Sequence, residues 1–200
     1  MSRDNQRRSA REALDGFFSG PGAPVRATAA ALERARTARA VVLVEGISDQ
    51  IALETLAPRL GRDLETERVV VVPMGGAHEI SRHLERFGPQ GKALPIAGLC
   101  DAAEEPLFRR SIATAGMGPP HGRSDLEKLG FFVCIEDLES ELIRASGPET
   151  IGSVLRSQGD HSSFQTLQRQ PGWRGRGFDD QFHRWLRAGA RRSLRYSRLL

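Results

Sequence analysis

The 200-residue sequence has few of the features that stabilise secreted or membrane proteins. Its only two cysteines, Cys100 and Cys134, lie in apolar runs, which indicates buried thiols and excludes a disulfide framework or a cysteine zinc site. The longest apolar runs, such as those at 41–44 and 69–74, have fewer than ten residues and are far short of the roughly 20 residues of a membrane helix. Residues 1–18 mix both charges and do not resemble a secretory signal, so a cytoplasmic protein without membrane contact is expected.

Lysine is also scarce, since 27 of the 29 basic residues are arginine. The formal charge of +4 is unevenly distributed, with +4 over residues 1–40, −7 over 41–150 and +7 over 151–200. An acidic middle between basic ends suggests cation coordination in the middle and a polyanionic partner for the ends. Solvated helix faces give similar counts and stay open as the alternative.

Four continuous apolar runs alternate with segments of helical periodicity in the acidic middle. The runs lie at 41–44, 69–74, 94–100 and 131–135. Strands that are covered on both faces need such runs, and helical connections let parallel strands pair by right-handed crossovers. We therefore predict an α/β domain at 39–146 with a mostly parallel four-stranded sheet, a helical extension at 1–38 and a basic, mainly helical extension at 147–200.

Acidic residues gather where these predicted strands end. Open parallel sheets place their ligand sites at this edge, and converging carboxylates suit a divalent cation such as Mg²⁺ or Mn²⁺. Capping of helix N-termini is the alternative, although Glu45 ends a strand directly and is explained least well by capping. The acids concerned are Glu45, Asp49, Asp101, Glu104, Asp137 and Glu139.

The segment VVLVEGISDQIALETLA at 41–57 resembles the opening of a TOPRIM domain, in which a glutamate at the end of the first strand is followed by glycine. Its EGxSD form is most similar to the TOPRIM domain of the OLD (overcoming lysogenisation defect) endonucleases. LCDAAEE at 99–105 and IEDLESEL at 135–142 fall where that family has its later acidic motifs. The resemblance covers roughly residues 39–145 and implies a Rossmann-like TOPRIM fold. Since no GxxxxGK[ST] loop occurs, the domain would stand alone without the family's ATPase domain.

The resemblance also implies roles for the acids. Glu45 and Asp101 would be the catalytic residues and would bind metal, with Glu45 as a ligand or general acid/base. Asp49 would bind a second metal ion. The second acid of the family's DxD motif is replaced by Ala103, so Glu104, which we prefer to Glu105, must substitute for it. The segment with Asp137 and Glu139 matches the third motif, and these two residues are either ligands or helix caps.

Arginines near the C-terminus are candidate contacts to nucleic acid. Arg174 and Arg176 lie beside Trp173 in the glycine-rich loop PGWRGRG at 171–177, and Arg191 and Arg192 lie in the terminal helix. Arginine and an exposed aromatic ring can bind phosphates and bases without sequence preference. A packed tryptophan beside solvated arginines is the alternative. In the terminal helix, Leu194 and Leu199 are predicted to face inward.

These features predict a Mg²⁺- or Mn²⁺-dependent nuclease that hydrolyses phosphodiester bonds of DNA, with RNA as the alternative substrate. The resemblance implies a separately encoded ATPase partner, and homodimer formation is left open. The rival interpretation is a non-catalytic TOPRIM-like module that binds nucleic acid or an ATPase, with Ala103 marking a lost site. His78 and His83 are five residues apart, not four as in a helical metal pair, and are interpreted as surface imidazoles.

Overall fold

The computed structural model describes residues 14–200. The helical stretch that we predict near the N-terminus lies partly in residues 1–13, outside the described residues. The described chain separates into two compact units: an α/β unit, Gly20–Asp137, and a helical unit made of Leu138–Leu200 with residues 14–19. Within residues 14–200, no helix combines the length and the apolar character needed to cross a membrane.

The α/β unit alternates strands and helices as the sequence predicts. Its strands are β1 (Ala40–Val44), β2 (Val69–Pro73), β3 (Ile96–Cys100) and β4 (Phe131–Val133). Its helices are α1 (Ala23–Arg34), α2 (Ile47–Arg59), α3 (Ile80–Phe87), α4 (Glu105–Thr114) and α5 (Arg123–Lys128). Single 3₁₀ turns at Ala77–Glu79 and Ala102–Glu104 precede α3 and α4.

The four strands form one parallel sheet in the order β2-β1-β3-β4, which confirms the predicted fold class. β2 ends in Pro73, which has no N–H to donate and is tolerated because β2 is an edge strand. The chain runs from β1 to β2 on one side and then crosses to β3 on the other. The connections after β1 and β3 therefore diverge, and the point between the carboxyl ends of these two strands is where open parallel sheets place their ligand crevice.

The α/β core is mainly aliphatic and lies on both faces of the sheet. Val41, Leu43 and Val44 of the central strand β1 are almost fully buried. At the β3–β4 contact, Gly98 leaves room for the ring of Phe131: a Cβ at Gly98 would lie 2.6 Å from Cδ1 of that ring. Close packing thus depends on a missing side chain at this point.

Helix α1 belongs to the α/β unit, although residues 1–38 were predicted as a separate extension. Its buried alanines, Ala23, Ala27 and Ala31, let it approach the sheet closely. The Thr28 hydroxyl donates a hydrogen bond to the carbonyl oxygen of Pro73 at 2.7 Å and connects α1 to the end of β2.

The helical unit contains α6 (Leu138–Ser157), α7 (His161–Gln168), α8 (Phe178–Arg187) and α9 (Ala190–Leu199). α6 bends at Gly147, whose φ of 72° lies in the left-handed region that glycine tolerates best. The core is aromatic: the ring of Phe182 lies 5.5 Å from the Trp185 ring and 5.7 Å from the Tyr196 ring, measured between centroids.

The inward side of α9 differs from the prediction. Leu194 and Leu199 are only half-buried, whereas Arg195 and Tyr196 are buried. Both buried side chains donate hydrogen bonds to the carboxylate of Asp160, and the tyrosine bond measures 3.0 Å. The prediction that Leu194 and Leu199 face inward was wrong. Arg195 can be buried instead because its charge is paired with Asp160, which also accepts the hydrogen bond of Tyr196.

Candidate metal centre

Glu45 lies at the crevice between β1 and β3 and contacts the ends of both neighbouring strands. Its backbone carbonyl oxygen accepts hydrogen bonds from the N–H groups of Gly75 and Gly76, at 3.1 and 3.0 Å, just beyond β2. Its side-chain Oε1 accepts a hydrogen bond from the N–H of Asp101 at 2.9 Å, just beyond β3. Glu45 and Asp101, the two predicted catalytic acids, are therefore neighbours.

The electrostatic environment of Glu45 is that of a carboxylate among other acids. Burial is the main factor that raises the pKa of Glu45, and the negative charge of Glu104 raises it further. The hydrogen bond from Asp101 and the charge of His78 act in the opposite direction. The pKa of the neighbouring Cys100 thiol is raised to about 12, chiefly by burial and then by Glu45. Burial is thus the main reason that negative charge is disfavoured here, and the neighbouring carboxylates add to it.

Cys100 and Cys134 are both buried and no disulfide joins them, which confirms the predicted buried thiols. Cys134 donates a backbone hydrogen bond to the carbonyl oxygen of Cys100 at 2.9 Å, so the ends of β3 and β4 are held together here. A second bond of 2.9 Å, from the N–H of Ala102 to the carbonyl oxygen of Glu136, continues this connection. It brings the segment that carries Asp137 beside the segment that carries Glu104.

Glu104 and Glu105 have different surroundings. The charge of Glu104 acts on Glu45, whereas the Glu105 carboxylate pairs with Arg123 at 2.9 Å. Ala103, at the position of the missing second acid, is exposed. Of the two candidate substitutes, Glu104 is therefore the one that contributes negative charge at Glu45.

The remaining predicted ligands also have structural partners. Asp49 Oδ2 accepts a hydrogen bond from the N–H of Gly46 at 2.7 Å, which is the geometry of a helix cap. Asp137 is buried and directly precedes α6. Glu139 belongs to the helical unit and accepts a hydrogen bond from Ser193 at 2.6 Å. Among residues 14–200, no three or more His, Cys, Asp or Glu side chains come together as a ready-made metal site.

The two histidines that follow β2 differ from each other. His78 is exposed, as predicted, yet it is close enough to Glu45 for its charge to lower the glutamate's pKa. His83 is buried, with Nδ1 3.0 Å from the carbonyl oxygen of Glu79, so its interpretation as a surface imidazole was wrong. Burial lowers the pKa of His83 and favours its neutral form.

The arginines that were predicted to contact nucleic acid also divide into two kinds. Arg174 and Arg191 are exposed, and the exposed Arg176 places its guanidinium 4.8 Å from the centroid of the Trp173 ring. Arg192 is half-buried, lies 3.9 Å over the Trp185 ring and donates a hydrogen bond to the Trp185 carbonyl oxygen. The Arg192 guanidinium thus makes its contacts within the helical unit, to Trp185.

The parallel sheet with acids at its carboxyl edge is the fold that the resemblance to TOPRIM domains implies. Residues 37–102 match the family model described as the overcoming lysogenization defect protein-like TOPRIM domain. This match confirms the predicted resemblance to an OLD-type TOPRIM domain over residues 37–102. TOPRIM domains generally bind divalent metal ions.

Solved structures show the same fold. The C-terminal region of the Xanthomonas campestris pv. campestris OLD protein aligns with a TM-score of 0.64 and 22% identity, covering 84% of this chain and 84% of that one. The C-terminal region of the Burkholderia pseudomallei OLD protein aligns with a TM-score of 0.57 and 19% identity, covering 81% and 86%. A comparison with curated proteins gives no match.

Proposed function

We propose that this protein is a metal-dependent nuclease that hydrolyses phosphodiester bonds of DNA, with RNA as the alternative substrate. The observation that carries the proposal is the meeting of Glu45 and Asp101 at the crevice between β1 and β3, where the charge of Glu104 also acts. The match of residues 37–102 to an OLD-like TOPRIM domain supports the same chemistry.

The donor set at this edge fits a hard divalent cation. Carboxylate oxygens are the ligands that Mg²⁺ and Mn²⁺ prefer, and a cation would offset the burial and the charge of Glu104 that together raise the pKa of Glu45. Glu45, Asp101 and Glu104 are the residues that would hold it, with Asp137 from the adjoining segment. The chemistry that such a cation supplies when bound is polarisation of the phosphodiester and a lower pKa for an attacking water.

The chain's own residues position this site. Glu45 is fixed twice, through its backbone carbonyl and through its carboxylate, so its free oxygen has a defined direction. Asp49 and Glu139 stay predicted ligands. Asp49 Oδ2 accepts the hydrogen bond from the N–H of Gly46.

Nicking of supercoiled plasmid tests the proposal. The full chain should nick in Mg²⁺ or Mn²⁺ and not in EDTA, and Glu45→Gln should reduce the rate by about 100-fold or more. Glutamine can still accept the Asp101 hydrogen bond, so the variant separates the charge from the fold. Glu127→Gln, an exposed acid on α5, is the matched control and should nick normally. Undiminished nicking by Glu45→Gln would refute the proposal.

A non-catalytic module is the second candidate, favoured by Ala103 and by the lack of a ready-made three-ligand group among residues 14–200. Calorimetric titration with Mn²⁺ distinguishes the two, because only the nuclease should show a specific site that Glu45→Gln removes. Ala103→Asp restores the missing acid at an exposed position. It should tighten Mn²⁺ binding if the edge is a metal site and leave it unchanged otherwise.

The proposed nuclease also has candidate partners. We propose a separate ATPase partner for two reasons. OLD proteins, to which the similar structures belong, have ATPase domains, and this sequence contains no GxxxxGK[ST] loop that would bind ATP. Adding a candidate ATPase and ATP to the nicking assay tests this, since a true partner should increase the rate. Homodimer formation is a further prediction, and analytical ultracentrifugation would measure the oligomeric state.

A further inference from the structure

The helical unit contains a basic groove that the acidic edge does not use. The groove has a volume of about 360 Å³ and lies between the PGWRGRG loop and α8. Three guanidinium groups and one imidazole share it with a single carboxylate. The lining residues are Trp173, Arg176, Asp180, His183, Arg184 and Arg187.

The loop is held in place by a buried amide. Gln181 is only 6% exposed, and its Nε2 donates a hydrogen bond to the Trp173 carbonyl oxygen at 2.8 Å. Its Oε1 accepts a hydrogen bond from Gln168 Nε2 at 2.8 Å. Arg176 Nε donates to the Gly172 carbonyl oxygen at 3.0 Å, so its guanidinium is oriented against the half-buried indole of Trp173. Trp173 and Arg176 are thus fixed at the groove by an internal hydrogen-bond network.

The arrangement of α8 alone does not account for the groove. Acids in its first turn and arginines in its last turn complement the helix dipole, as in many solvated helices. The loop, however, adds a further guanidinium, Arg176, and an aromatic ring beside Arg184 and Arg187. Like charges brought together repel one another, and an anionic ligand removes that repulsion.

We propose that this groove binds the backbone of a single-stranded nucleic acid, with phosphates on Arg184 and Arg187 and an unpaired base against Trp173. An aromatic ring can stack only on a base whose face is uncovered, and bases inside a duplex are covered by their neighbours. The groove volume is at the lower end of the range for small-ligand sites, which is the scale of one nucleotide unit. The site lies in the helical unit and does not depend on cleavage at the acidic edge.

Fluorescence titration of the full chain with oligothymidylate in EDTA tests this site while preventing metal-dependent cleavage. The chain has two tryptophans, and Trp185 is only 2% exposed, so quenching by a stacked base would come from Trp173. Trp173→Phe should abolish the quenching. Arg184→Glu should weaken binding about tenfold and reduce the salt dependence of binding by about one counterion.

Arg156→Glu is the matched control, because it reverses one exposed arginine of the same unit outside the groove. It should change the affinity by less than about threefold. Equal losses in Arg184→Glu and Arg156→Glu would show a general charge effect and overturn the proposal. A duplex or heparin that binds as tightly as the single strand would overturn it too. Plasmid nicking is measured separately, so failure here leaves the proposed nuclease standing, and failure of nicking leaves this site standing.

Discussion

The α/β unit and the helical unit differ in where their charged residues lie relative to the core. In the α/β unit the core is mainly aliphatic, and the acids Glu45, Asp101 and Glu104 lie beyond the strand ends. In the helical unit the core is aromatic, and the ion pair between Arg195 and Asp160 is within it. A parallel sheet has an edge where several strand ends meet, so charge can gather outside the apolar layers. A small helical bundle has no such edge, and its charged groups enter the core in pairs.

The largest expected effect comes from breaking the buried ion pair between Arg195 and Asp160. Arg195→Met should lower the free energy of unfolding by about 4 kcal/mol, because it leaves the Asp160 carboxylate partly buried without its cation. Chemical denaturation measures the change. Arg191→Met, an exposed position on the same helix, should stay within about 0.5 kcal/mol of the parent. If the two variants unfold alike, the helical unit does not depend on its internal charge.

The next effect tests close packing in the α/β unit. Gly98→Ala should destabilise by about 2 kcal/mol, because the new Cβ would lie 2.6 Å from the Phe131 ring. Thermal unfolding measures this. Gly172→Ala adds the same methyl group where no atom lies within 4 Å and should have little effect. In a Phe131→Val background the Gly98→Ala change should cost less than in the parent, and additivity of the two changes would contradict the contact.

The smallest effect concerns the pH dependence of the acidic edge in EDTA. Since burial raises the pKa of Glu45, the folded state holds this proton more tightly than the unfolded chain. The resulting stabilisation is complete below the ordinary value of 4.5 and is lost as the pH rises through the raised value. Glu45→Gln does not titrate, so its melting temperature should exceed that of the parent by about 1–2 °C at neutral pH.

That margin should shrink as the pH falls to 4.5, the ordinary value for the glutamate. Differential scanning calorimetry across this range measures it. Glu127→Gln, at an exposed position on α5, should show no such trend. If the difference in melting temperature between Glu45→Gln and the parent grew toward acidic pH, the pKa of Glu45 would not be raised by burial as described.

Much of the α/β unit can be predicted because its signals are local. Runs such as VVLV and VVVV mark buried strands, and parallel strands end at one edge, so the meeting of Glu45 and Asp101 follows from their positions in sequence. The proximity of His78 to Glu45 could not be read this way. It depends on the hydrogen bonds from Gly75 and Gly76 to the Glu45 carbonyl, which join two separate loops.

The helical unit was predicted less well for the same reason. Sequence patterns assign arginine to solvent, yet Arg195 is buried because Asp160, 35 residues away, accepts its hydrogen bond. α7, with the sequence HSSFQTLQ, buries only Phe164 and has no strong apolar period. The membership of α1 in the α/β unit rests on small alanines and on one bond to Pro73, which are both weak signals in a sequence.

The double attachment of Glu45 has an evolutionary consequence. Exchanging this residue for alanine removes the acceptor of the Asp101 N–H as well as a candidate ligand, so selection on folding and selection on chemistry act at the same position. Position 103 is exposed, so an acid there would contribute to metal binding or catalysis and not to folding. A lineage whose demand for cleavage weakened would therefore lose the acid at 103 long before the one at 45.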